Sequence, residues 1–231
     1  MSGRIIAIGD VHGCCAALTE LLAALKPAKD DTVVMLGDLV NRGPDSKGVV
    51  DRLIKLEAEC RLITIMGNHD EIFLHSLEQA ALDASKVSSG TGPTLASYGG
   101  SVLNVPASHL DFFRRMVTHW ETDDYIFVHA TVDPEVPLSE HASPLLRWSR
   151  YEASQPRHCS GKVVICGHTQ QRSGFPGMSE HLICLDTAAY RGLWLTSLDV
   201  TTNTVLQASE NREVRGPFDL CDVAKPLAGY V

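Results

Sequence analysis

Aspartate, asparagine and histidine recur at one kind of place in this sequence, directly after short apolar runs. Ile5–Ile8 leads into Gly9-Asp10-Val11-His12-Gly13, and Val33–Leu36 into Gly37-Asp38-Leu39-Val40-Asn41-Arg42-Gly43-Pro44. Leu62–Met66 leads into Gly67-Asn68-His69-Asp70, Tyr125–Val128 into His129-Ala130, and Val163–Cys166 into Gly167-His168-Thr169. Apolar runs of this length read as strands, so five strands each deliver a polar group at the carboxyl edge, where open α/β sheets place ligands.

These donor types suit two metal ions. Asp10 and His12, two residues apart, can share one ion, and the two oxygens of Asp38 can bridge a pair. Asn68 offers a neutral oxygen, and His129 and His168 offer imidazole nitrogens. Oxygen and nitrogen donors without thiolate suit Mn, Fe or Zn. A binuclear pair clamps a phosphate and lowers the pKa of water towards about 7. Taken singly, GDVHG is also a strand-end turn, GNHD a helix cap, and a lone histidine a core residue. The shared strand-end placement of all five is what points to a metal centre.

Positioning these groups takes an α/β protein. Further strands are expected at Leu182–Asp186, Gly192–Val200 and Thr204–Ala208, the last two forming a hairpin around Thr201-Thr202-Asn203. A first helix should run from about Cys14 to Leu25, with Leu18, Leu21, Leu22 and Leu25 on one face and Pro27 beyond its end. A second covers Ser46 to Glu59, and a third starts near Asp70. The Ser, Gly, Thr and Pro texture of 85–100 reads as loop, and lid or insert loops are expected at about 85–119 and 133–160. The tail after Ser209 reads as an extended strap. A single domain, 1–231, is expected.

The chain has 231 residues, 44% hydrophobic and 21% charged, with a net charge of −8. That is ample for a buried core and close to globular averages. Scattered Lys and Arg with an acidic balance argue against a broad nucleic-acid surface. No run approaches the roughly 20 apolar residues of a membrane span, and Asp10 interrupts the first apolar run too early for a signal peptide. Seven cysteines with no disulfide spacing and no CxxC pair read as reduced thiols, and hence as a cytoplasmic protein. Cys14 and Cys15 are expected to pack in the first helix rather than do redox chemistry.

The order GDVHG, GDLVNRGP, GNHD, HA and GHT, with Leu146-Arg147-Trp148-Ser149-Arg150 and Leu185-Asp186-Thr187-Ala188, resembles the PPP branch of calcineurin-like metallophosphoesterases. Its phage-type Ser/Thr protein phosphatases and symmetrical diadenosine tetraphosphatases are the most similar members. The resemblance runs from about Ile5 to Val200. It implies two β-sheets packed face to face with flanking helices. It implies Asp10, His12 and Asp38 on a first ion, with Asp38, Asn68, His129 and His168 on a second, manganese in first place.

By the same resemblance Arg42 and Arg150 would grip phosphate, a task suited to the guanidinium fork. His69 would protonate the leaving group while a metal-bound hydroxide attacks in line. Asn41, which lies with these substrate-binding arginines, stands where the protein phosphatases carry an Asp that charges the catalytic histidine. Asp70 stands where they commonly carry Glu. Two substrates stay open: phosphoserine and phosphothreonine proteins with small aryl phosphates, taken first, or dinucleoside polyphosphates. A catalytically silent metal-binding module is disfavoured by the complete ligand set.

Overall fold

A computed structural model describes residues 3–82 and 91–227, the side chains of 81 and 82 aside. The elements run β1 Ile5–Ile8, α1 Cys15–Leu25, β2 Thr32–Met35, α2 Ser46–Leu56, β3 Arg61–Thr64, α3 Asn68–Leu82, α4 Gly92–Ser97, α5 Ala107–Arg114, β4 His119–Glu121 and β5 Tyr125–Val128. There follow α6 Ser143–Trp148, β6 Val163–Cys166, β7 Gly177–Met178, β8 Leu182–Cys184, β9 Leu195–Asp199, β10 Thr204–Ala208, β11 Val214–Asp219, α7 Leu220–Val223 and β12 Lys225–Pro226.

Two six-stranded mixed sheets form, in the orders β11-β10-β9-β1-β2-β3 and β12-β7-β8-β6-β5-β4. Side-chain alternation explains why they pack face to face. In β1 and β2, Ile6, Ile8, Val33 and Met35 face the layer containing α1 and α2, while Ala7 and Val34 face the other sheet. In β5 and β6, Phe127 and Ile165 meet them between the sheets, while Ile126, Val128, Val164 and Cys166 face the outer layer that includes Leu146 of α6. Strands buried on both faces must be apolar throughout, which is why these runs stood out in the sequence.

Two expectations are corrected. Residues 91–100 are not a loop: Gly92–Ser97 forms α4, with Pro93 in its first turn and Thr91, Thr94 and Tyr98 buried. Its small polar residues bind backbone, as Ser97 Oγ does in accepting from Lys47 N at 3.0 Å. The expectation for 85–90 lies outside the described residues. The segment 107–114 is likewise the helix α5, with Phe112 and Phe113 buried. The tail is more regular than a strap, because β11 extends the first sheet and β12 pairs with β7 in the second.

Cys14 packs in the core beside α1, where burial pushes its thiol up to about 12, and all seven cysteines are free. After β8 the chain turns through Ala188 at φ 56°, a left-handed conformation that costs an L-residue roughly 1–2 kcal/mol. Ala188→Gly keeps the backbone bond from Ala188 N to Asp186 Oδ1 and removes the strain. We expect it to raise stability by about 1 kcal/mol, read as a Tm increase of roughly 2–4 °C by calorimetry.

Candidate metal and phosphate site

The carboxyl ends of the central strands of both sheets meet in one cleft of about 510 Å³, lined by residues including His12, Asp38, Arg42, Asn68, His69, Arg150 and His168. The first sheet supplies Asp10, His12, Asp38 and Asn68, and the second supplies His129 and His168. Of nine non-glycine residues with positive φ among those described, five are predicted site residues: His12, Asp38, Asn41, Arg42 and His168. Each such residue costs of order 1–3 kcal/mol, and that concentration marks a functional edge. Gly67 and Gly167 are required there, since a Cβ would collide with Asp38 at the first and with Asp10 Oδ1 at the second.

Asp38 lies at the centre, 2% exposed. Its Oδ2 is 3.4 Å from His12 Nε2 and its Oδ1 is 3.5 Å from His129 Nε2, so its two oxygens face two different histidines. Asn68 Oδ1 lies 3.1 Å from both His129 Nε2 and His168 Nδ1. Two donor groups result, His12–Asp38–His69 and Asp38–His129–His168, which share Asp38.

The histidine tautomers suit ligation. His12 Nδ1–H donates to Val40 O at 2.9 Å and His129 Nδ1–H to Leu36 O at 2.8 Å, which turns each Nε2 lone pair into the cleft. Burial holds both rings below the usual imidazole range, His129 at about 4, and burial with His129 nearby lowers His168 to about 3. They are therefore neutral at pH 7, as ligands must be.

Asp10 joins neither group. Its oxygens accept from His168 N at 3.1 and 3.2 Å, so it braces the His168 turn. It packs close to Asp38 and to a carboxylate that sequence reasoning did not single out, Asp186, which is 1% exposed and lines the cleft. Asp186 Oδ1 accepts from Ala188 N at 3.0 Å, and its Oδ2 is buried without a partner among the described residues. Burial raises the pKa of all three, Asp38 to about 8 and Asp186 to about 6. Three buried carboxylates, one oxygen unsatisfied, beside neutral imidazoles fit divalent cations. In the sequence Asp186 stands within the Leu185-Asp186-Thr187-Ala188 segment of the family resemblance, which assigned it no role at the site.

Around this centre, His69 N donates to Asp38 Oδ1 at 2.9 Å. Both ring nitrogens of His69 face donors, Asn41 Nδ2 at 3.2 Å and Arg42 Nη2 at 3.0 Å. Asn41 Oδ1 in turn accepts from the Thr94 hydroxyl at 2.6 Å. Burial, then Arg42, pulls His69 down to about 4. Asp70 is structural: its oxygens accept from Leu39 N at 2.9 Å and Gly67 N at 3.0 Å, tying the second and third motifs together.

On the outer wall Arg150 and the 45%-exposed Trp148 face the cleft. Trp148 Nε1 donates to Glu71 Oε2 at 2.7 Å, and Arg147 pairs with the other Glu71 oxygen, which fixes α6 to α3. Arg191 and Gln170 complete the lining and went unnoticed in the sequence. His141 does not reach the cleft. Its Nε2 accepts from Asp133 N at 2.7 Å and its Nδ1 faces Pro137 O, so it closes its own loop.

Oxygen and nitrogen donors gathered at the shared edge of two mixed sheets, with arginines alongside, make a cleft whose chemistry suits divalent ions and phosphate. The sequence model of the Calcineurin-like phosphoesterase family matches residues 3–172, and the chain belongs to that family. A symmetrical bis(5′-nucleosyl)-tetraphosphatase of Bordetella pertussis is 37% identical over 137 residues, 57% of this chain and 45% of that protein. A protein of the same description from Nitrosomonas europaea is 31% identical over 154 residues, covering 63% and 53%. The chain thus spans about half the length of these curated relatives. A solved structure provisionally assigned as a diadenosine tetraphosphatase shares the fold, with a TM-score of 0.70 and 23% identity over 90% of this chain and 94% of that one. No helix among the described residues is long and apolar enough to cross a membrane.

Proposed function

We propose that the protein hydrolyses dinucleoside polyphosphates, splitting a phosphoanhydride of a diadenosine tetraphosphate-like substrate, rather than phosphoserine or phosphothreonine proteins. The observation that carries this is the setting of His69. Donors face both of its nitrogens, and among the described residues no carboxylate lies within 4.0 Å of them. Such a ring gives up a proton grudgingly acquired, which limits it as an acid for an alkoxide leaving group. A nucleoside diphosphate leaves as a stabilised anion and needs little protonation. The relatives named symmetrical bis(5′-nucleosyl)-tetraphosphatases support the same substrate.

Asp10, His12 and Asp38 would hold one divalent ion, and Asp38, Asn68, His129 and His168 a second. We place manganese first, with iron or zinc compatible with the donors. The ions, when bound, supply Lewis-acid charge and lower the pKa of water towards about 7. The residues do the rest. Arg42 and Arg150 grip the non-bridging oxygens, which orients the phosphorus for in-line displacement. On substrate arrival Arg42 Nη2 would turn from His69 Nε2 to phosphate oxygen, and the freed ring would take a proton from water to become imidazolium, passing it from Nε2 to the departing oxygen and returning to neutral imidazole.

Side-by-side kinetics of the manganese-loaded protein test the reading. We expect kcat/KM for diadenosine tetraphosphate to exceed that for a phosphoserine peptide at least a hundredfold, about 2.7 kcal/mol of transition-state binding. A ratio favouring the peptide overturns it. The Asn41→Asp variant adds a second check. A carboxylate facing His69 favours imidazolium, so the histidine stays protonated to higher pH. The alkaline limb of the pH profile for an aryl phosphate should move up by roughly one unit. An unshifted limb would show that residue 41 does not govern His69.

A further inference from the structure

The 186–192 turn contains a group that the catalytic reading leaves unused. Ala189–Arg191 is a single 3-10 turn, and it places the half-buried Tyr190 behind the cleft wall. The Tyr190 hydroxyl receives three donors: Arg42 Nη1 at 2.9 Å, Gln170 Nε2 at 2.7 Å and Arg191 Nε at 3.0 Å. Gln170 Oε1 also accepts from Arg191 Nε at 3.0 Å, so the glutamine amide is fixed between the two side chains. Both guanidinium carbons lie near the Tyr190 ring, 4.8 Å and 5.3 Å from its centroid. That ring packs edge-on against His12, with centroids 5.0 Å apart, which ties the arrangement to the ion-binding residues.

The cluster is made almost wholly of donors. A phenol oxygen has two lone pairs and here faces three N–H groups, while its own proton finds no acceptor among the described residues. Neither Arg42 nor Arg191 has a carboxylate within 4.0 Å among the described residues, whereas Arg4, Arg52, Arg115 and Arg157 each do. Asp186 is the acidic group that feels both charges, yet it is buried on the ion side with one oxygen bound to Ala188 N. Two like charges converging on one neutral oxygen repel each other, and what relieves that is an anion in the cleft they line.

We propose that Arg191 and Gln170, organised by the Tyr190 hydroxyl, form a second anion subsite beside the ion-binding cleft, which takes the phosphate adjacent to the one attacked. The subsite therefore selects di- and polyphosphate chains over monoesters, and Arg42, bonded to the same hydroxyl, is shared by both phosphates. The inference rests on the polyphosphate reading above, and its test does not depend on turnover.

Calorimetric titration of the protein with manganese in excess, using methylenediphosphonate and methylphosphonate as uncleavable probes, reads the subsite directly. The wild type should bind the diphosphonate more tightly. Arg191→Gln should weaken diphosphonate binding about tenfold, 1.4 kcal/mol, and methylphosphonate binding less than twofold. Tyr190→Phe, which keeps the ring and removes the organising oxygen, should weaken the diphosphonate selectively by about threefold. Equal losses for both probes, or no loss in Arg191→Gln, overturn the subsite. If the wild type cleaves diadenosine tetraphosphate while Arg191→Gln binds both probes normally, the subsite fails and the substrate reading stands. If it cleaves none while the selective loss appears, the substrate reading fails and the subsite stands.

Discussion

Asp38→Asn should lower kcat on any phosphorylated substrate by at least about a thousandfold, some 4 kcal/mol of transition-state stabilisation. Asp38 faces His12 with one oxygen and His129 with the other, so it is the only residue common to both donor groups. An amide keeps the shape but replaces one anionic oxygen with a nitrogen that carries two protons and cannot ligate. One of the two facing histidines then points at a donor. Metal analysis should show fewer than two ions per chain, and excess manganese should not restore turnover. Substantial activity in a sample with two ions bound would remove the bridging role. The fold should survive, because an amide of the same shape adds no buried charge beside Asp10 and Asp186.

His69→Asn separates proton donation from ion binding. Its backbone N–H to Asp38 Oδ1 is retained, so the donor groups should keep their geometry and two ions should remain. Positioned acids contribute typically 10²–10⁴-fold. The lower end, about a hundredfold in kcat, is expected on a dinucleoside polyphosphate, whose departing phosphate needs little help. An alkyl phosphomonoester should suffer more. Loss of an ion from the variant would instead make His69 a ligand, as its place beside His12 and Asp38 allows.

The strand ends and ligands were readable because the physics there is local. A strand buried on both faces is apolar throughout, so the first Asp, Asn or His after it marks where the chain leaves the core. The residues after β1, β2, β5 and β6 follow this rule, while β3 is an edge strand with Arg61 exposed that still ends in the Gly67-Asn68 turn. Helix α4 broke the reading of 85–100 because Thr94 and Ser97 are small polar residues that bond backbone and Asn41. Composition alone does not distinguish such a helix from a loop. Asp186, Tyr190 and Arg191 have no shared spacing with the early motifs, and the crossing from β8 to β9 brings them to the cleft, whereas Gln170 lies two residues after His168 on the turn that follows β6. Strands β7 and β12 are two residues each, too short for any periodic signal.

The division of donors between the sheets, with Asp38 and Asn68 on one and His129 and His168 on the other, has a mechanical meaning. Apart from bonds such as those from His129 Nδ1 to Leu36 O and from His168 N to Asp10, the sheets meet through apolar packing, which is non-directional. Bound cations would act as rivets across that seam, coupling ligand occupancy to cooperativity of unfolding. Saturation at a hundredfold over the dissociation constant is worth about 2.7 kcal/mol per site. Chelation should therefore speed amide hydrogen exchange in β2 and β5 together, strands that belong to different sheets and share no hydrogen bond.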